Sequence, residues 1–151
     1  MSEPNSGSDL ASIRTKGEKI PGGWRINGSK VWTSFAQHAH YMIALVRTDS
    51  SAASKHSGLT QFMIDMKTPG LTVRPIINLT GEHDFNEIFL EDVEVPDNHV
   101  IGAPGDGWKQ VTAELAFERS GPERFMSSMP LFLAAMNGMP KSEANAEAIG
   151  R

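Results

Sequence analysis

Residues 86–115, "NEIFLEDVEVPDNHVIGAPGDGWKQVTAEL", hold the change of pattern on which the fold class turns. Its first part, "NEIFLEDVEVP" (86–96), is rich in β-formers and closes at Pro96, which reads as a strand. "GAPGDG" (102–107) is a loop. After it Trp108, Val111, Thr112 and Leu115 recur at i, i+3, i+4 and i+7, one face of a helix, with Asp106 placed to cap it. Strand patterning lies upstream of this switch and helical patterning downstream.

Upstream, "GWRINGSKVW" (23–32) reads as two short strands about Asn27-Gly28, a pair suited to a two-residue hairpin turn. "YMIALV" (41–46) is a continuous apolar run, expected to be a strand buried on both faces. "LTQFMIDM" (59–66) precedes the turn residues Thr68-Pro69-Gly70, and "LTVRPII" (71–77) carries Pro75, which places it at an edge or a bulge. Several short strands at this spacing predict an antiparallel barrel or sandwich. Downstream, Ser120-Gly121-Pro122-Glu123 interrupts the helix and fits a capping box, Pro130 marks a kink or restart, and Asn137-Gly138 with Pro140 marks a stop. "KSEANAEAIGR" (141–151) reads as a helix or a frayed tail. The fold class is α+β: an antiparallel β-barrel or sandwich domain followed by α-helices.

Bulk properties exclude several functions. The chain has 151 residues, 14 Lys+Arg against 18 Asp+Glu, a net charge of −4 and no cysteine. An acidic balance argues against nucleic-acid binding and against a basic membrane face. Without cysteine there is no disulfide, thiolate nucleophile or zinc–thiolate centre. No apolar run approaches the ~20 residues that span a bilayer. The default setting is cytoplasmic.

Candidate site residues fall in three places. "SEPNSGSD" (2–9) offers small side chains and accessible N–H groups that can form a nest for an anion or a carbonyl oxygen; a flexible tail is the alternative. Trp32-Thr33-Ser34 ends a strand, and an aromatic followed by hydroxyls can flank a planar ring and bond its edge; a core Trp with capping hydroxyls is the alternative. Glu118 and Arg119 follow Leu115-Ala116-Phe117. A carboxylate among apolar groups suits a general base, and an ordinary helix-end ion pair is the alternative. His38 and His40 lie two apart, a weak signal, and no metal site is expected.

"SEPNSGSDLASIRTKG", "INGSKVWTS", "VRTD", "FNEIFLEDVEVP" and "GDGWKQVTAELAFER" occur in the order and spacing of the acyl-CoA dehydrogenase family, over residues 2 to 119. The resemblance implies a middle β domain at residues 1–103 and the start of a C-terminal helical domain at 104–151, as part of a longer enzyme. It implies FAD-dependent oxidation of an acyl-CoA to the trans-2-enoyl-CoA, in fatty acid metabolism, with electrons passing to an electron-transferring flavoprotein. By position, Ser2, Gly7 and Ser8 resemble the flavin-contacting loop, with Gly7 and Ser8 also meeting the thioester end of the substrate. Trp32 resembles the aromatic against the isoalloxazine, and Thr33 and Ser34 the hydroxyl residues at its edge. Arg119 resembles an arginine beside the substrate pocket. In most members the catalytic glutamate lies farther along the helical bundle; in isovaleryl- and long-chain-type enzymes it lies on the helix after the β domain, where Glu118 falls. Both assignments stay open. A homo-oligomer is expected, since the helix after residue 107 would otherwise expose its apolar face. The competing reading is a non-catalytic β module for binding or assembly, derived from the same family and inactive alone.

Overall fold

The computed structural model describes residues 1–118, 120–122 and 126–150. Seven strands come first: β1 (Lys16–Ile20), β2 (Gly23–Ser34), β3 (Tyr41–Arg47), β4 (Leu59–Asp65), β5 (Leu71–Ile76), β6 (Phe85–Pro96) and β7 (Val100–Ile101). Helices α1 (Gly107–Glu118), α2 (Met129–Gly138) and α3 (Glu143–Gly150) follow. The chain divides into two compact units, Met1–Thr112 and Ala113–Arg151. The α+β expectation holds.

The strands form one sheet in the order β5-β6-β2-β1-β3-β4-β7. Neighbours are antiparallel except β1 and β3, which meet in parallel at Lys16 and Arg47. β5 pairs only with β6 and β7 only with β4 among the described residues, so the ladder is not closed and the barrel expectation is corrected. The sheet instead folds over. Trp24 of β2 packs edge-on against Phe62 of β4 with ring centroids 5.6 Å apart. In a flat sheet, strands three places apart would lie ~14 Å from each other. The core therefore fills the space between two halves: Ile26, Ile88, Leu90, Val93 and Val95 on one side, Ala44, Val46, Phe62 and Ile64 on the other. Each of these Val, Leu, Ile and Phe side chains contributes ~1.5–3 kcal/mol on burial. Pro75 lies in β5, the outermost strand, where its missing N–H costs no ladder bond between central strands.

Two local expectations are overturned. The first hairpin turns at Pro21-Gly22, with Ile20 opposite Gly23 and Gly22 at φ 78°. Asn27-Gly28 instead lies inside β2, at a register shift between Ile26 and Gly28. The Asn27 side chain there bonds Asp92 across the bulge, accepting its N–H at 2.8 Å and donating to its carboxylate at 3.0 Å. Gly28 is required by a close approach: at φ 151°, a Cβ on it would sit 2.5 Å from the Thr15 hydroxyl. β3 is buried on both faces only over Ala44–Val46, because Tyr41 and Ile43 are exposed.

In the second unit, α2 starts with Pro130 in its first turn and ends at Gly138, the restart and stop expected. Residues 143–150 are helical. The expected capping box lies partly outside the described residues. No helix among the described residues is long and apolar enough to cross a membrane.

Candidate functional site

The site grows from an irregularity in β2. Lys30 opposes Ile88 and Thr33 opposes Asn86, so Val31 and Trp32 together face the single residue Glu87. An extra residue bends a strand and re-aims its side chains. Trp32 takes a left-handed φ of 60° and its side chain is 60% exposed, with one edge against Phe85 at 6.0 Å. A bulky residue rarely adopts this backbone, and it persists where neighbours fix it. Here they do: the Val31 N–H donates to the Ser2 carbonyl at 2.9 Å, and the Asn86 amide donates to the Thr33 carbonyl at 3.1 Å. Trp32 is thus not a core residue.

Asn86 is fully buried, and its side chain ties the end of β2 to the segments on either side of it. Besides Thr33 its amide donates to Gln37 Oε1 at 2.6 Å, and its own oxygen pairs with His83 Nε2 at 2.7 Å. Gln37 in turn donates to the His83 carbonyl at 2.9 Å. Just ahead of this network the Ser34 hydroxyl is exposed. The Thr33 hydroxyl is buried and finds no hydrogen-bond partner among the described residues.

The N-terminal segment is bound to the same strand by charge. Lys30 is completely buried and its ammonium lies 2.8 Å from Glu3, itself 7% exposed, and 2.6 Å from the Leu45 carbonyl. Glu3 also accepts the Arg14 N–H at 2.6 Å and the Thr15 N–H at 3.0 Å. Burial alone would raise the Glu3 carboxyl, but the Lys30 charge and these hydrogen bonds outweigh it and hold the group below its usual range. Burial pushes the Lys30 ammonium down, against the pull of Glu3.

Between Glu3 and Ser6 the backbone closes a tight turn with two reciprocal bonds of 3.0 Å. Gly7 and Ser8 follow, exposed, and their N–H groups have no partner among the described residues. The next residue anchors the loop. Asp9 takes a 2.7 Å bond from Lys55, and that bond first, then Ser12, holds its carboxyl below the usual range. Arg47 staples the same region by donating to the carbonyls of Ala11 at 2.6 Å and Lys55 at 2.9 Å. Ser2, Trp32, Thr33 and Ser34 therefore share one locality, and Gly7 and Ser8 continue from it on an anchored loop.

Glu118 belongs to the second unit. It is the last residue of α1 and is exposed, as is Phe117 at 81%. The apolar setting expected for a base is not formed among the described residues. Arg119 lies outside the described residues.

An exposed indole, an exposed hydroxyl, a buried hydroxyl without a partner and free loop N–H groups fit a planar heteroaromatic with polar edges. They provide no ligand set for a metal. The sequence reading missed the residues that hold these in place: Glu3, Lys30, Arg47 and Asn86. The only signal for Lys30 was a charge amid β-forming residues, and nothing local marked its partner 27 positions away.

Comparison with known proteins gives the same direction. The family model described as "Acyl-CoA dehydrogenase, middle domain" matches residues 1–93. The chain is 52% identical over 119 residues to acyl-CoA dehydrogenase FadE34 of Mycobacterium tuberculosis, covering 79% of this chain and 17% of that protein. It is 37% identical over 121 residues to a mitochondrial isovaleryl-CoA dehydrogenase of Oryza sativa subsp. japonica, covering 79% of this chain and 29% of that one. Among solved structures, the Tcur3481-Tcur3483 steroid ACAD superposes with a TM-score of 0.74 at 34% identity, over 78% of this chain and 30% of its own. The chain spans less than a third of each of these relatives.

Proposed function

The chain belongs to the acyl-CoA dehydrogenase family, and from that premise we propose that it supplies the flavin-facing β domain of an enzyme oxidising an acyl-CoA to its trans-2-enoyl-CoA. Residues 1–103 are assigned to the middle domain and 104–151 to the start of the helical domain. The observation that carries the reading is the bulge that turns Trp32 outward beside Ser2 and Ser34.

In this assignment Trp32 would cover one side of the flavin ring and the exposed Ser34 hydroxyl would bond its edge, whereas the Thr33 hydroxyl is buried and offers the ring no surface. Ser2 closes the wall from the N-terminal segment. Bound FAD supplies the acceptor for the hydride that leaves the β carbon. The unpaired N–H groups of Gly7 and Ser8 are suited to the thioester oxygen, where negative charge develops as the α carbon loses its proton. Glu118 takes that proton, and the electron pair left on the α carbon forms the new double bond as the β hydrogen departs. Similarity to an isovaleryl-CoA dehydrogenase supports Glu118, since the family resemblance implies a base on the helix after the β domain for enzymes of that type. Arg119 is assigned beside the substrate. An electron-transferring flavoprotein and a second copy of the chain are the partners this reading implies.

Two measurements test it. The purified chain, incubated with FAD and desalted, is expected to retain the flavin absorbance bands. Enoyl-CoA formation with an artificial acceptor is expected in wild type and to fall strongly in Glu118→Gln with flavin retained. A protein that stays colourless contradicts the reading and favours the non-catalytic module; unchanged turnover in Glu118→Gln removes that residue as the base.

A further inference from the structure

Phe35 follows directly on Ser34 and also has a left-handed backbone, φ 52° and ψ 25°. Its N–H donates to the Asp84 carbonyl at 2.8 Å, and its carbonyl accepts from His38 N–H at 2.9 Å. Those bonds fix the conformation, but they involve only main-chain atoms. Glycine or asparagine would make them with less strain. The benzyl side chain therefore needs its own explanation, and packing does not provide one. The ring is 58% exposed and stacks on no other ring among the described residues.

Three non-glycine residues among those described have positive φ: Trp32, Phe35 and Asp92. Asp92 is accounted for by the Asn27 side chain across its bulge. The other two are exposed aromatics within four residues, flanking Thr33 and Ser34 in sequence. Strain held at rings that are more than half exposed points to a ligand rather than to stability. Two exposed rings with an exposed hydroxyl residue between them in sequence suit a flat heteroaromatic longer than one ring.

We propose that Phe35 is a second aromatic wall of the flavin slot, extending the surface begun by Trp32 and contacting the tricyclic ring directly. The inference rests on the flavin reading of Trp32 and Ser34 and adds a cofactor-contacting residue to it. The fold fixes the left-handed backbone at this position; the flavin ring is what keeps an aromatic side chain there at the cost of strain that glycine or asparagine would relieve.

The test is a titration of the full chain with FAD followed by flavin fluorescence, alongside thermal unfolding without FAD. Phe35→Asn is expected to bind FAD about tenfold more weakly, ~1.4 kcal/mol, yet to unfold at a higher temperature. Phe35→Leu keeps the strain and loses the ring, so it is expected to weaken binding about as much with no gain in stability. Phe35→Tyr is expected to bind as wild type does. Wild-type affinity in Phe35→Asn or in Phe35→Leu overturns the proposal. If Trp32→Ala is weakened in that case, the flavin reading itself stands. No FAD binding by the wild-type chain overturns both.

Discussion

Replacing Glu3 by Gln keeps the shape of the side chain and removes the charge facing Lys30. Lys30 sits on β2, in the middle of the sheet, with 0% exposure, so it has no route to water. Its remaining acceptor is the Leu45 carbonyl at 2.6 Å. The variant has two ways to accommodate it. It can keep an unpaired buried ammonium, a defect of ~3–5 kcal/mol. Or it can fold with Lys30 neutral. From the ordinary value of 10.5, deprotonation at pH 7 costs 3.5 units at ~1.36 kcal/mol each, ~4.8 kcal/mol. The cheaper route sets the loss at ~3–5 kcal/mol, a large part of the ~5–15 kcal/mol that holds a domain together. The two routes differ in pH dependence. A lysine whose folded pKa is depressed binds fewer protons folded than unfolded, so stability rises with pH between its folded value and 10.5. At pH 9 the neutral route costs only ~2 kcal/mol. Urea unfolding at pH 7 and pH 9 reads this directly. With a slope of ~1–2 kcal/mol/M the midpoint of Glu3→Gln falls by about 1.5–5 M at pH 7, and roughly a third to a half of that deficit is recovered at pH 9. A loss under ~1 kcal/mol, or a loss unchanged between the two pH values, would refute the reasoning that this pair docks the N-terminal segment.

Three more outcomes follow from the same geometry. Gly28→Ala puts a Cβ 2.5 Å from the Thr15 hydroxyl and 2.7 Å from its Cα, and is expected to cost about 1–3 kcal/mol in urea unfolding. Asn86→Leu strands the Thr33 carbonyl, Gln37 Oε1 and His83 Nε2, and is expected to cost about 2–4 kcal/mol while exposing the Trp32 segment to proteolysis. The Glu3 carboxyl is held below its ordinary 4.5, so its stabilisation is complete above that pH and is lost as pH falls through the lower folded value; cleavage of residues 1–12 by an acid-active protease is expected to rise over that range.

Strand positions were legible because apolar patterning and turn residues record burial locally. β4 and β6 lie close to where "LTQFMIDM" and "NEIFLEDVEVP" placed them. What joins the strands was less legible. Asn27-Gly28 satisfies a bulge as well as a hairpin, since both need unusual backbone, and Pro21-Gly22 competes for the turn six residues earlier. Closure of the sheet depends on whether β5 meets β7, which no local pattern encodes. For the site, Trp32 and Ser34 stood out by residue type. Their outward orientation came from a one-residue slip against β6 and a left-handed φ. Lys30 looked like one more polar residue in an alternating strand; its burial depends on Glu3, which a reading along the chain cannot bring beside it. Phe35 carried no mark at all, because its strain exists only in the folded backbone.

The claim that the N-terminal loop and the end of β2 form one wall of a flavin slot can be read from amide and indole resonances of the isotopically labelled chain as FAD is added. The account predicts that the Trp32 indole and the amides of Ser2, Gly7, Ser8 and Ser34 move together along one binding curve, while the buried Trp24 indole stays in place. Shifts confined to another exposed apolar group, such as Tyr41, Ile43 and Met63, with Trp32 and Ser34 unmoved, would contradict it.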